Sequence, residues 1–193
     1  LYAIWKANGI DVTADANGGT ISAATGWAIA SGNKTATKTI QFNTAYGTLP
    51  TVTRTGYTFT KWTLADDASA TITAATKVSV PRAHTIKAQW TANTYKLTYD
   101  TTGGDSITQK NKTYDTTYTQ DDLPTPTRTG YTFVGWFKEA GLTNQVNAGD
   151  IFDVSHATFD EISTSGSIAR IYAKWSNNTY KITYEPNGAN VTM

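Results

Sequence analysis

The sequence repeats itself at a regular spacing, which limits the chain to architectures that can be placed one after another. Short segments ending in Trp occur three times, at Trp5, Trp90 and Trp175, and these three positions are equally spaced. Segments reading Asn-Thr-Tyr-Lys follow the second and third, at 93–99 and 178–184. Matched blocks at a constant spacing are the signature of a tandem array of structural units.

A second matched block lies in the middle of each repeat. Residues 53–62 read Thr-Arg-Thr-Gly-Tyr-Thr-Phe-Thr-Lys-Trp, and residues 127–136 read Thr-Arg-Thr-Gly-Tyr-Thr-Phe-Val-Gly-Trp. These two blocks are closer together along the chain than the Trp positions are. The first copy therefore has extra residues before this block and equally many fewer after it, which restores the overall spacing. We expect loops of variable length on a constant framework.

This spacing divides the chain into four parts. Residues 1–5 are predicted to be the last strand of a preceding repeat, 8–90 and 93–175 two full repeats, and 178–193 the opening strand and turn of a following repeat. A unit of this size can bury a modest core of its own. Residues 91–92 alone link the two repeats, too few for a flexible coil, so we expect a semi-rigid, elongated rod of small domains.

The composition favours strands. Thr accounts for 38 of the 193 residues, aromatic residues for 12% and charged residues for only 16%. Thr and aromatic residues are typical of strands, and alternation of large apolar with polar residues predicts strands at 95–99, 131–136 and 168–175. A further strand is expected within 107–119, and one short helical turn at or just before the proline-containing segment 121–126.

Together these residues resemble a known family. The succession of strand, Gly-Gly turn, Thr-Arg-Thr-Gly-Tyr-Thr-Phe block with its Trp, and closing Tyr-Ala-x-Trp is similar to the Listeria–Bacteroides repeat, also called the internalin B-repeat. The first repeat departs from it at Lys61, in the place of a Gly, and at 87–89. The signature residues of the two repeats are Gly18, Gly19, Gly56, Tyr57, Phe59, Trp62, Trp90, Gly103, Gly104, Gly130, Tyr131, Phe133, Trp136 and Trp175.

The resemblance implies an α+β, strand-dominated fold of tandem β-grasp-like domains, in which a small mixed sheet wraps a short helical segment. It also implies a place in the stalk of large secreted or surface-anchored bacterial proteins, and the family has no established catalytic residues. We therefore expect a non-enzymatic, extracellular spacer region of an adhesin-like protein. Its expected partners are the neighbouring repeats of the same chain.

Two other functions stay open. An adhesive module would use an aromatic or Thr-rich face to bind a cell-surface glycan or protein, although strand alternation favours core positions for the recurring Trp residues. A filament subunit would self-assemble by pairing the orphan strands at the two chain ends between copies. Arg54 and Arg128 recur before Gly56 and Gly130, where we expect a turn hydrogen bond or a cation–π contact, with partner binding as the alternative.

Charge and composition exclude several classes. A net charge of +1 gives no electrostatic footprint for nucleic acid or an anionic membrane. No apolar run approaches the roughly 20 residues of a membrane span, so we expect neither nucleic-acid binding nor membrane insertion. The absence of Cys excludes a disulfide scaffold and a thiolate metal site.

The titratable residues form no recognisable catalytic constellation, and we expect no catalytic residue, cofactor or metal. His84 and His156 do not occupy equivalent repeat positions, so each is predicted to be a surface loop residue rather than part of a triad or metal site. The carboxylate pairs at 66–67, 121–122 and 160–161 are predicted to be loop caps or solvated turns, because neighbours in a strand point to opposite faces.

Two structural devices stay open as alternatives. Residues 15–19 resemble the start of a calcium loop but lack its bidentate Glu, so a hairpin turn is the favoured interpretation. Lys96 with Asn93, and Lys181 with Asn178, suggest a Lys–Asn isopeptide crosslink, which would need both side chains and an acid to be buried together.

Overall fold

In a computed structural model of the protein, residue 2 and residues 8–154, 158–159 and 166–184 are described. The strand predicted at 1–5 lies outside them except for Tyr2, as do His156 and the carboxylate pair at 160–161. The last predicted segment is described only over 178–184, which form no strand. An opening strand needs a neighbour to pair with, and a lone strand is not stable in water.

Strands make up the first repeat, and five of them form one mixed sheet in the order β3-β4-β1-β7-β6. Here β1 pairs antiparallel with β4 and parallel with β7, while β2 and β5 form a separate antiparallel pair. The strands are β1 (Gly9–Asp15), β2 (Thr20–Ala23), β3 (Ala28–Ile29), β4 (Thr35–Gln41), β5 (Thr51–Thr53), β6 (Tyr57–Leu64) and β7 (His84–Ala92).

The second repeat builds the same central arrangement. Its sheet has the order β11-β10-β13-β8-β9, with β12 also on β13, and the first strand, β8, again pairs parallel with the last, β13. The strands are β8 (Thr94–Asp100), β9 (Lys110–Thr113), β10 (Tyr131–Phe137), β11 (Gln145–Val146), β12 (Thr158–Phe159) and β13 (Ile168–Asn177).

Each repeat has its own hydrophobic core, built by alternation along the paired strands. In the first, Val12 and Ala14 of β1 lie beside Ile86 and Ala88 of β7, and all four are fully buried. Leu97, Ile171 and Ala173 take the corresponding positions in the second core, which also contains Trp136. Residues facing the other side of each strand stay more exposed, as period-2 alternation requires.

The prediction of a strand-dominated fold is confirmed, and the part of the chain that the structure describes contains almost no helix. Among the described residues the only helix is a single 3-10 turn, Gln120–Asp122, close to where the sequence allowed a short helical turn. The Thr-rich composition does not favour longer helices. The expected strand within 107–119 is only four residues long. None of the helices in the described part of the chain is long and apolar enough to cross a membrane.

Removing a core Trp should unfold its repeat more easily. We expect Trp136→Ala to lower the free energy of unfolding by about 3–5 kcal/mol, because Trp136 is 2% exposed and its removal leaves a cavity. Urea denaturation measures the change. Val134→Ala in the same strand is the matched control: its side chain is 46% exposed, and we expect a change within about 0.5 kcal/mol. Equal losses in the two variants would contradict this core assignment.

Candidate functional site

The Gly-Gly turn of each repeat brings the chain against a tryptophan. Asp15 Oδ1 accepts a hydrogen bond from Asn17 N (2.8 Å), and Gly18 follows with a φ of +85°. A Cβ on Gly19 would lie 2.6 Å from Trp90 Cζ2 and 2.6 Å from the carbonyl oxygen of Thr53, which no side chain tolerates. In the second repeat, Gly104 stands similarly close to Trp175 and Thr127.

The signature aromatic residues form one cluster in each repeat. The ring of Phe59 lies 5.8 Å from that of Trp62 and 5.7 Å from that of Trp90. The equivalent distances from Phe133 to Trp136 and Trp175 are 5.4 and 5.5 Å. Such tilted and edge-to-face pairs are favourable beyond the area that they bury.

The closing tryptophan of each repeat is also hydrogen-bonded to the opening turn. Trp90 Nε1 donates to the carbonyl oxygen of Ala16 at 3.0 Å, and Trp175 Nε1 donates to that of Thr101 at 2.8 Å. Trp62 and Trp136 are buried in the cores, whereas Trp90 and Trp175 are half-buried. The structure thus places all four in packing positions.

The recurring arginines stack on tyrosines. The guanidinium carbon of Arg54 lies 3.7 Å above the ring of Tyr57, and that of Arg128 lies 3.7 Å above the ring of Tyr131. Gly18 lies against the Arg54 guanidinium, so the arginine is held between the turn and the ring. These are the cation–π contacts expected from the sequence. In the described part of the chain neither arginine forms an ion pair.

The two repeats meet at a joint built around Gly56 and Asn93. The backbone N–H of Asn93 donates to the carbonyl oxygen of Gly56 (2.9 Å), and Thr58 Oγ1 donates to Asn93 Oδ1 (2.6 Å). Asn93 is only 2% exposed, so both bonds are shielded from water. The short link between the repeats is therefore fixed by hydrogen bonds at its end.

An aromatic turn of the second repeat completes this joint. The ring of Tyr114 packs on Gly56, whose φ is +77° and where a Cβ would lie 2.3 Å from the ring. Tyr57 contacts Tyr114 edge-on, with ring centroids 5.7 Å apart, and donates its hydroxyl hydrogen to Asp115 Oδ2 at 2.6 Å. Burial and this hydrogen bond raise the pKa of Tyr57 above its usual value.

A groove of about 690 Å³ runs along this joint. The first repeat contributes cationic, hydroxyl-bearing and aromatic side chains, and the second adds a tyrosine and two carboxylates. The lining includes Lys34, Thr53, Arg54, Tyr57, Trp90, Tyr114, Asp115 and Asp153. A shallower depression of about 480 Å³ surrounds Arg128, Tyr131 and Trp175 at the equivalent place in the second repeat.

The turn that makes this joint, Tyr114–Asp115, was not among the predicted site residues. A signal for it exists in the sequence: Phe-Asn-Thr-Ala-Tyr at 42–46 matches Tyr-Asp-Thr-Thr-Tyr at 114–118. The offset between these segments differs from that of the Trp positions and from that of the mid-repeat blocks, because loop lengths differ on both sides. These two segments therefore correspond at a third offset along the chain.

The sequence predicted a surface loop residue at His84, and this is wrong. His156 lies outside the described residues. His84 begins β7, where its Nε2 lies 2.7 Å from the hydroxyl of buried Tyr46 and its Nδ1 lies 3.0 Å from the carbonyl oxygen of Arg82. The hydroxyl of a buried tyrosine needs a hydrogen-bond partner. His84 supplies it as a half-buried structural residue.

The carboxylate pairs have unequal environments. Asp67 caps the Ser69 backbone, and Asp66 lies 3.6 Å from Arg82 in an exposed ion pair. Asp122, in contrast, is buried rather than solvated: its Oδ2 accepts hydrogen bonds from Lys112 Nζ (2.6 Å) and from the backbone N–H of Thr119. Of the two predicted environments, a loop cap or a solvated turn, Asp122 has the cap.

Electrostatics favours the ionised form of Asp122. Burial alone would raise the pKa of its carboxyl group, but hydrogen bonds from Lys112 and Thr119 more than offset this, so the pKa lies below its usual value. Lys112 is buried as well and also donates to the carbonyl oxygen of Thr117 (2.6 Å). The first repeat has Ile40 and Thr48 at the corresponding positions, which shows that the fold does not require this pair.

The two alternative devices find little support in the structure. The calcium-like segment is the hairpin turn described above, and no group of three or more His, Cys, Asp or Glu within the described residues could hold a metal ion. Asn93 is buried, but Lys96 is exposed on β8. A crosslink between these two would need a buried lysine.

The sequence profile of the Listeria-Bacteroides repeat domain matches residues 11–89 and 95–159. The chain belongs to this family. Each matched segment contains the Gly-Gly turn, the stacked arginine and tyrosine, and the Phe–Trp pair of its repeat, whereas the closing tryptophans Trp90 and Trp175 lie beyond the matched residues.

Two related proteins come from the bacterium Evansella cellulosilytica. One, named "Putative Gly-rich membrane protein", is 30% identical over 97% of this chain, and the other, named "Putative membrane protein", is 28% identical over 54% of it. The present chain spans only 19% of the first relative and 14% of the second. Repeats of this kind thus occur as parts of much larger proteins.

Replacing both residues of the buried Lys112–Asp122 pair should cost little stability, whereas replacing one alone should cost much more. We expect Asp122→Thr to lower the free energy of unfolding by about 3–5 kcal/mol, because Lys112 is left buried without its counter-ion. The double variant Lys112→Ile, Asp122→Thr, which copies the first repeat, should recover most of that loss. Urea denaturation at neutral pH measures both changes.

The pH dependence provides the control. A carboxyl group with a lowered pKa in the folded protein stabilises it above the unfolded value of about 3.8, and this stabilisation is lost as the pH falls through the folded pKa. The wild-type protein should therefore lose this contribution below about pH 4, and the double variant should not. A double variant as unstable as Asp122→Thr would contradict this account.

Proposed function

We propose that the chain is a spacer region of a bacterial surface or secreted protein, in which each repeat is a rigid unit and each joint holds the next unit in a fixed direction. The observation that carries this proposal is the joint itself. Asn93, Thr58 and Gly56 are linked by two short hydrogen bonds, and the ring of Tyr114 fills the space above Gly56. A hinge motion would break these contacts together.

The division into units supports the same function. The proposed units are 8–90 and 93–175, each a β-grasp-like sheet closed by parallel pairing of its first and last strands. Each unit has its own hydrophobic core, and its signature aromatic residues pack against one another. We infer a non-enzymatic role in an extracellular array that extends as a rod and carries other domains away from the cell.

Loss of the joint contacts should increase the motion of one repeat relative to the other without unfolding either. The chain has no Cys, so spin labels can be placed at Ala68→Cys and Ala140→Cys, two exposed positions in different repeats. We expect a narrow distance distribution in the otherwise wild-type chain. Tyr57→Ala should broaden it, because the hydrogen bond to Asp115 and the contact with Tyr114 are lost.

Tyr131→Ala is the matched control for this measurement. Tyr131 stacks under Arg128 as Tyr57 stacks under Arg54, but it does not lie between the two repeats. Its distance distribution should stay narrow. A broad distribution in the wild-type chain would contradict the spacer function, as would equal broadening in both variants.

A second candidate function is glycan binding in the joint groove. Its lining includes Arg54 and Lys34 from the first repeat and Asp115 and Asp153 from the second, so the opposite charges balance. The groove also presents threonine hydroxyls beside the indole of Trp90. Balanced charge, hydroxyl groups and an aromatic edge suit an uncharged polysaccharide better than an anionic one.

A glycan array with purified protein tests this second function. We expect neutral glycans bound by the wild-type chain to lose affinity by roughly ten-fold or more in Arg54→Ala, since a charge-assisted hydrogen bond contributes about 1.5–3 kcal/mol. Arg128→Ala is the matched control, because the depression around Arg128 is not closed by a second repeat. Absence of binding, or equal loss in both variants, would leave the spacer function alone.

A further inference from the structure

The end of the second repeat reproduces the joint surface of the first. The backbone N–H of Asn178 donates to the carbonyl oxygen of Gly130 at 2.9 Å, and Thr132 Oγ1 donates to Asn178 Oδ1 at 2.6 Å. These distances equal those of Asn93 at the occupied joint. Gly130 has a φ of +81°, against +77° for Gly56. We call Gly130, Tyr131 and Asn178 the terminal socket.

The turn that fills such a socket also occurs in the first repeat. The backbone N–H of Phe42 donates to the carbonyl oxygen of Asn8 (2.9 Å), as Tyr114 donates to Asn93 (2.8 Å). Asn43 and Asp115 follow with φ values of +63° and +62°. We call Phe42–Asn43 the head turn of the first repeat. Its backbone matches that of the Tyr114–Asp115 turn.

Both surfaces lack a partner within the described part of the chain. The space where a Cβ of Gly130 would stand has no atom within 4 Å, whereas the same space at Gly56 is filled by Tyr114. Phe42 is 38% exposed, but Tyr114, seated in its socket, is 9% exposed. One exposed aromatic turn and one open glycine socket of matching geometry therefore lie in different repeats of the chain.

We propose that the terminal socket binds the head turn of another repeat of this kind, with the Phe42 ring on Gly130 and the Asn43 side-chain oxygen accepting from Tyr131. The inference rests on the proposed spacer function and extends it, since the same surface then serves at each successive joint. A turn at one end and a socket at the other make a head-to-tail contact, which does not close into a dimer. The partner is therefore a repeat that follows along the chain at the same spacing as the second repeat follows the first.

A fusion of two copies that preserves the spacing of the repeats tests this inference. Residues 1–177 of one copy are joined to residues 8–193 of a second, so that Asn8 takes the place of Asn178 and the head turn follows the socket. The readout is the NMR shift of the glycine Hα protons, because a ring packed on a glycine displaces them. Gly56 of the single chain, under Tyr114, is the reference for an occupied socket.

We expect Gly130 of the first copy to shift in the fusion as Gly56 does, relative to Gly130 in the single chain. Phe42→Leu in the second copy keeps an apolar side chain but removes the ring, and the Gly130 shift should return to its single-chain value. Phe42→Leu in the first copy is the matched control and should leave Gly130 unchanged. Spectra of both variants report directly whether they are folded.

The outcomes separate this inference from the function on which it rests. An unshifted Gly130 in the fusion, with Gly56 shifted, overturns the inference and leaves the joint at Gly56 intact. An unshifted Gly56 overturns the packed joint itself, and the spacer function with it. A Gly130 shift that survives Phe42→Leu in the second copy also overturns the assignment of Phe42 as the occupant.

Discussion

Parallel pairing between the first and last strands of each repeat is the constraint on which the rest of the structure depends. Because β1 and β7 run in the same direction, the chain enters the sheet at one end and leaves it at the other. The same holds for β8 and β13. An antiparallel pairing would return the chain to its starting end and force a long connection. Parallel pairing allows the first strand of the next repeat, β8, to begin at Thr94 when β7 ends at Ala92.

Glycine with a positive φ serves two purposes in this arrangement. At Gly18 it turns the chain so that Gly19 can approach the closing tryptophan, and at Gly56 it leaves room for a ring from the next repeat. Gly56 combines a left-handed backbone with a space too small for a Cβ, whereas in the Gly-Gly turn the positive φ falls on Gly18 and the close approach on Gly19. The recurring glycines of the sequence are therefore contact surfaces as well as turns.

The repeat made much of the structure predictable from sequence, because equivalent residues take equivalent places. The strands at 95–99, 131–136 and 168–175 follow from alternation, and the arginine stacking follows from the recurring Arg and Tyr. The pairing of Lys112 with Asp122 and the contact of His84 with Tyr46 were not predicted. Each occurs in one repeat only, and its partners are separated along the chain, so neither periodicity nor spacing marks it. Composition favoured strands, and the single helical turn of the described residues lies at the start of the proline-containing segment where a short turn was expected.

The small size of the joint contact is consistent with a role within one chain. An edge-to-face aromatic pair contributes about 0.5–1.5 kcal/mol, and a hydrogen bond to a charged group about 1.5–3 kcal/mol. Between free molecules such a contact is lost against the cost of association, which is ~4–15 kcal/mol. Two repeats joined by a short link have already met most of that cost, since their effective concentration is on the order of millimolar or more. In the proposed spacer, a glycine, two tyrosines and an aspartate would then be enough to set the direction of the next repeat, because that repeat is covalently attached.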